Sequence, residues 1–164
     1  MVLLFKHGWI LFIVTACVNY FILKNRAKQF IEQNPDLEEG YDKIFKAILI
    51  YGNIPWLIMG IGDITGQTVN LFDYFHPRLL NPFVLMFHFY AVAIYALLIR
   101  FIYFKDGAKF LLKHPGLIRI NGLGGSKDPS STTSIKLFFA LSLLGGTLAL
   151  SVMWLKNIPT LPVK

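Results

Sequence analysis

Four stretches of this 164-residue chain are too long and too evenly apolar to be the inner faces of soluble helices. A helix needs about 20 largely apolar residues to cross a hydrocarbon core of about 30 Å, because lipid offers no partner to an open backbone N–H or C=O. Leu3 to Leu23 is interrupted only by Lys6, His7 and Asn19. Ile44 to about Gly62 carries Gly52, Asn53 and Pro55, Phe83 to Phe104 is the most aromatic, and Ile135 to Leu155 offers only Ser, Thr, Gly and Lys136 as polar relief. The composition agrees: 55% of residues are hydrophobic and 15% charged, against a usual charged share of about 25%. The expected fold class is an all-α membrane protein, one domain over residues 1–164 with spans at about 3–23, 44–62, 83–104 and 135–155. Three spans with one re-entrant or surface-lying segment is the alternative.

Val14-Thr15-Ala16-Cys17 has the form of a lipoprotein processing site, but the residues after Cys17 stay apolar through Leu23 where a mature lipoprotein turns polar. An uncleaved first span is expected. Cys17 is the single cysteine, so no disulfide forms within the chain and dithiol redox chemistry is excluded.

The net charge of +7 reads as orientation. Of the 16 Lys and Arg side chains, Lys24, Arg26, Lys28, Lys43, Lys46, Arg100, Lys105, Lys109, Lys113, Arg119, Lys127 and Lys136 lie between spans one and two or three and four, or at their ends. Lys6, Arg78, Lys156 and Lys164 lie on the other side. Basic residues in short connections face the cytoplasm, so both termini are expected on the non-cytoplasmic side, most naturally of a bacterial inner membrane. Trp9 and Trp154 then fall at the outer interface, where indoles favour the headgroups.

The first inner connection should be a helical hairpin. Ala27, Phe30 and Ile31 continue the first helix, Asn34-Pro35-Asp36 supplies a break followed by a cap and a first-turn proline, and Leu37, Tyr41, Ile44 and Phe45 fall on one stripe leading into span two. Its acidic group, Glu32, Asp36, Glu38, Glu39 and Asp42, is expected to face Lys24, Arg26 and Lys28. In the second connection, residues 105–114 mix basic and apolar side chains as an interfacial helix does. Lys105, Lys109, Lys113 and Arg119 are its candidate contacts to anionic headgroups. Asn121 to Pro129 reads as a flexible, turn-rich stretch, and its glycines make no phosphate loop because no strand precedes them and no Lys-Ser/Thr pair follows. Lipid contact accounts for the basicity, and no nucleic-acid partner is expected.

Ionisable groups at membrane depth are candidates for function by default, and here they are few. Asn53, Gly60 and Asp63 share one face of span two, where Pro55 should free a carbonyl near Tyr51. His88 and Tyr95 share a face of span three, with His88 at roughly the depth of Asp63, so a contact between Asp63 and His88 is feasible. Asn53, Asp63, His88 and Tyr95 are therefore the candidate polar site: a proton-accepting group or a pocket for a cation or polar solute, or else simply helix-joining hydrogen bonds. Thr68 to Pro82 is expected to turn the chain at the outer interface, and Ser142, Gly145 and Ala149 to mark a packing face. His88 is the one histidine well inside a span and no Cys or His spacing suits zinc, so no metal and no cofactor are expected. These features favour a non-catalytic accessory, scaffolding or assembly subunit with a protein partner or a second copy. A small transporter or channel component is the alternative.

Overall fold

The computed structural model describes residues 6–122 and 125–156; Leu3, Leu4 and Phe5 of the expected first span, Leu123-Gly124 and Lys164 lie outside the described residues. Among the described residues five α-helices follow in order: α1 (Gly8–Gln33), α2 (Glu38–Ile64), α3 (Pro82–Ile99), α4 (Gly107–Lys113) and α5 (Thr132–Leu155). All but the short α4 are long and apolar enough to cross a membrane, as an integral membrane protein requires.

Local chemistry sets the helix ends. Asn34 accepts from the Asp36 N–H at 3.3 Å with Pro35 behind it, and a 3-10 turn over Pro35–Leu37 leads into α2. Gly66, at φ 69°, closes the other end of α2: its N–H reaches the Asp63 carbonyl at 3.0 Å and that of Gln67 reaches Gly62 at 2.9 Å, a Schellman arrangement. Asn81 accepts from Phe83 and Val84 with Pro82 in the first position, which starts α3. Ser131 accepts from Ser134 at 3.1 Å to start α5.

α1 and α2 continue well past their apolar stretches, so the expected hairpin is one antiparallel pair. With 26 and 27 residues they are each about 40 Å long. Ala27, Leu37, Tyr41 and Phe45 form a buried cluster near its tip. The second connection docks on this cluster: the Tyr41 hydroxyl donates to the Pro115 carbonyl at 2.7 Å, and the His114 ring lies edge-on to Tyr41 at 5.0 Å. Gly40 lets His114 approach, since a Cβ there would overlap the imidazole. Ile102, Ala108, Leu111 and Ile135 form a second cluster, joining α3, α4 and α5 at this hairpin end.

Two expectations need correction. The ion pairs among hairpin residues run along each helix, Lys28 to Glu32 at 3.8 Å and Lys43 to Glu39 at 2.7 Å, and none crosses from one helix to the other among the described residues. Side chains four apart on one helix meet without any cost in hairpin geometry. The stretch after Arg119 is also more ordered than its composition implies: β1 (Ile120–Gly122) pairs antiparallel with β2 (Gly125–Lys127), Ile120 opposite Lys127.

At the opposite end the α2–α3 connection folds into two 3-10 turns, Leu71–Phe75 and Pro77–Leu79. Arg78 reaches from the second of them to the last turn of α5, donating to the carbonyls of Trp154 and, at 3.0 Å, Leu155. It satisfies carbonyls that a helix C-terminus leaves open.

Candidate functional site

The arrangement centres on Asp63, in the last turn of α2. Its carboxylate is 6% exposed, and one oxygen, Oδ2, accepts from His7 Nδ1 at 2.6 Å and from Trp9 Nε1 at 2.9 Å. Gly60, one turn earlier, makes this possible: the Trp9 ring lies where a Cβ would stand, so the indole can slide under Asp63. Phe12 then stacks on Trp56 at 4.3 Å, which fixes α1 against the same face of α2. A buried polar group needs hydrogen-bond partners, and here one is Trp9 in the first turn of α1 and the other His7, the residue that precedes it.

The shell around this group is aromatic. Tyr74, 2% exposed, fills the space left by Gly62, so that residue too has no room for a side chain. Burial pushes the Tyr74 phenol above its ordinary value of 10.0, a bond with Thr68 opposes the rise, and the charges of Asp73 and Asp63 add to it. The free space beside Asp63, Trp9 and Tyr74 is about 10 Å³, at the lower limit for a single water.

His88 belongs to a different contact. Its Nε2 donates to the Tyr74 carbonyl at 2.9 Å, and its ring meets Trp154 of α5 edge-on at 5.8 Å. No hydrogen bond joins it to Asp63 among the described residues, which corrects the expected pairing. Equal depth fixes height along the bundle but not direction around the helix, and the His88 face of α3 points to α5. Because a carbonyl can only accept, Nε2 carries the proton, and Nδ1 is left as a buried acceptor with no partner among the described residues. Two turns on, Tyr95 packs into the notch at Gly146 of α5, where a Cβ would overlap its hydroxyl.

Asn53 is 9% exposed; its Nδ2 donates to the Leu49 carbonyl at 2.6 Å, and its Oδ1 has no partner among the described residues. The carbonyl that Pro55 leaves open, Tyr51 O, is taken by the Tyr90 hydroxyl of α3 at 2.5 Å. The kink is thus a point of attachment between helices. The four expected site residues therefore divide into separate settings: Asp63 faces α1, His88 and Tyr95 face α5, and Asn53 bonds within α2.

Of the candidate lipid contacts, Lys109 is held by Asp106 at 2.9 Å, whereas Lys105, Lys113 and Arg119 are exposed without an ion pair among the described residues. Sequence reasoning missed His7, Trp9, Tyr74 and Arg78 as structural partners. The signal available was the pair Gly60 and Gly62 around Asp63, two gaps that bulky neighbours would fill. No group of His, Cys, Asp and Glu among the described residues could hold a metal ion. No family model matches the chain, and neither a curated protein nor a solved structure gives a significant match.

Proposed function

We propose that this chain is a non-catalytic accessory or assembly subunit of a larger membrane complex, seated in the bacterial cytoplasmic membrane with both termini on the outer face. The observation that carries this reading is the bareness of α5. Only Ile135 of that helix is buried, and the line Ser142, Gly145, Ala149 is exposed. Gly145 has nothing within 4 Å of where a Cβ would stand, while its neighbour Gly146 is filled by Tyr95. Small residues permit close approach of a second helix, so one side of α5 serves the chain itself and the other is free for a partner. The Ser142 hydroxyl is turned back on the Phe138 carbonyl at 2.9 Å and costs such an interface nothing.

The test is blue-native electrophoresis and crosslinking of the native protein in mild detergent. A complex of defined stoichiometry, lost on Gly145→Leu while the helical content is unchanged, is the expected result. A lone monomer in which Asp63→Asn abolishes a measurable flux would overturn it. Tags at both termini reachable from outside intact cells would support the orientation.

A small transporter or channel component is a second reading, favoured by the two buried acceptors without partners, Asn53 Oδ1 and His88 Nδ1. Against it stand the about 10 Å³ of space beside Asp63 and the engagement of that carboxylate by His7 and Trp9. Solute flux in vesicles that disappears in His88→Ala and Asn53→Ala would decide for it.

A further inference from the structure

A cavity of about 650 Å³ lies between α2 and α3, on the half of the bundle nearer the hairpin. This is within the roughly 300–1,000 Å³ usual for small-molecule sites. Its walls are apolar, with Ala47, Ile48 and Gly52 on α2 and Ile94 and Leu98 on α3. At one end two cations line it, Arg100 and Lys105. From Ile94 to Lys105 is about 16 Å at 1.5 Å per residue, so the groove is elongated along the helices.

Two features of the backbone make this shape. Gly52 opens the wall of α2: a Cβ there would meet nothing within 4 Å. Beyond Ile99, α3 unwinds into a π turn over Arg100–Phe104. Residues five apart lie far around an α-helix from one another, but in a turn with i→i+5 bonds they come round to one side. That winding brings Arg100 and Lys105 to the same cavity. Both are exposed, and neither has an acidic partner among the described residues; the nearest acid in sequence, Asp106, is spent on Lys109.

We propose that this groove is a binding site for one anionic phospholipid, an acyl chain lying between α2 and α3 and its phosphate held by Arg100 and Lys105. Charge complementarity selects the occupant. A neutral helix from a partner would leave two cations unanswered, and an annular lipid of any headgroup would gain nothing from them, whereas a phosphate at the end of an apolar chain meets both the charge and the surface. Long basic side chains at span ends keep their stems along apolar surface and their heads at the phosphate level, which is where this groove ends.

The test uses the full chain purified in detergent, stripped of lipid and titrated with phosphatidylglycerol or phosphatidylcholine under native mass spectrometry. One phosphatidylglycerol per chain should be retained at least tenfold more tightly than phosphatidylcholine. Gly52→Leu, which fills open space, should abolish that adduct without lowering the melting temperature, and the exposed pair Arg100→Gln with Lys105→Gln should remove the preference between the two lipids. Equal retention of both lipids by the parent protein, or a phosphatidylglycerol adduct unchanged in the double Gln variant, overturns the proposal. If Gly52→Leu does not fold, the double Gln variant decides alone.

Discussion

The Tyr90 hydroxyl donates to the Tyr51 carbonyl at 2.5 Å, taking the acceptor that Pro55 leaves without its helical donor. A proline inside a span is tolerated when something else supplies the missing bond, and here the supplier sits on the neighbouring helix. Tyr90→Phe should cost about 1 kcal/mol, in the range measured for hydrogen bonds between membrane helices. In a Pro55→Ala background, where an N–H returns, the same change should cost close to nothing. Reversible unfolding in mixed detergent micelles, arranged as a double-mutant cycle, gives the coupling.

Asp63 is expected to be the most sensitive polar position of the bundle. Asp63→Asn weakens two charge-assisted bonds at once, to His7 and Trp9, and each bond to a charged group is worth about 1.5–3 kcal/mol. The loss should exceed that of His88→Gln, whose single donated bond goes to the Tyr74 carbonyl. Trp9 fluorescence in a Trp56→Phe, Trp154→Phe background reports the change as a shift in the indole emission.

The contact of Gly40 with His114 predicts a local effect of a single methyl group. His114 is buried, stacked on Phe110 at 4.1 Å and edge-on to Tyr41, so it has little room to retreat. Gly40→Ala should destabilise the docked connection by about 1–3 kcal/mol, the usual cost of overpacking. Limited proteolysis between residues 114 and 131 should accelerate, and His114→Ala in the same chain should restore part of the protection.

Asp106 and Lys109 provide a pH signature outside the spans. The Lys109 ammonium, through its hydrogen bond and its charge, holds the Asp106 carboxyl below its ordinary value of 3.8, and Asp106 holds Lys109 above 10.5. The carboxyl's share of the pairing is complete above its ordinary value and fades as pH falls through its lowered one. That of the ammonium is complete below its ordinary value and fades as pH rises through its raised one. Both groups are fully exposed, so the consequence is read by titration and not by stability. Carbon-detected NMR should place the Asp106 midpoint below 3.8, and Lys109→Ala should raise it toward that value.

What was legible in the sequence follows from one-dimensional constraints. The four long apolar helices, the Asn34-Pro35 turn and the open carbonyl at Tyr51 each depend on a few adjacent residues, and each is found in the structure. The relation of Asp63 to His88 depends instead on rotation about helix axes. Spacing along α2 gives the face that Asp63 shares with Gly60, but nothing in that spacing says whether the face meets α1 or α3. An indole at a span end favours the headgroups, which is why the sequence puts Trp9 at the interface; the gap at Gly60 draws it inward instead. The β1–β2 ladder leaves no mark in the sequence because three-residue strands are too short for any alternation to appear.

Arg78 ties the connection before α3 to the final turn of α5, at a sequence separation of 76. During synthesis its side chain waits at the surface while two more spans are made. The carbonyls it binds exist only once Trp154 and Leu155 have left the ribosome and α5 has crossed. The link therefore depends on α5: a chain stopped short of that helix leaves the guanidinium without these two acceptors, and a chain that includes it supplies both.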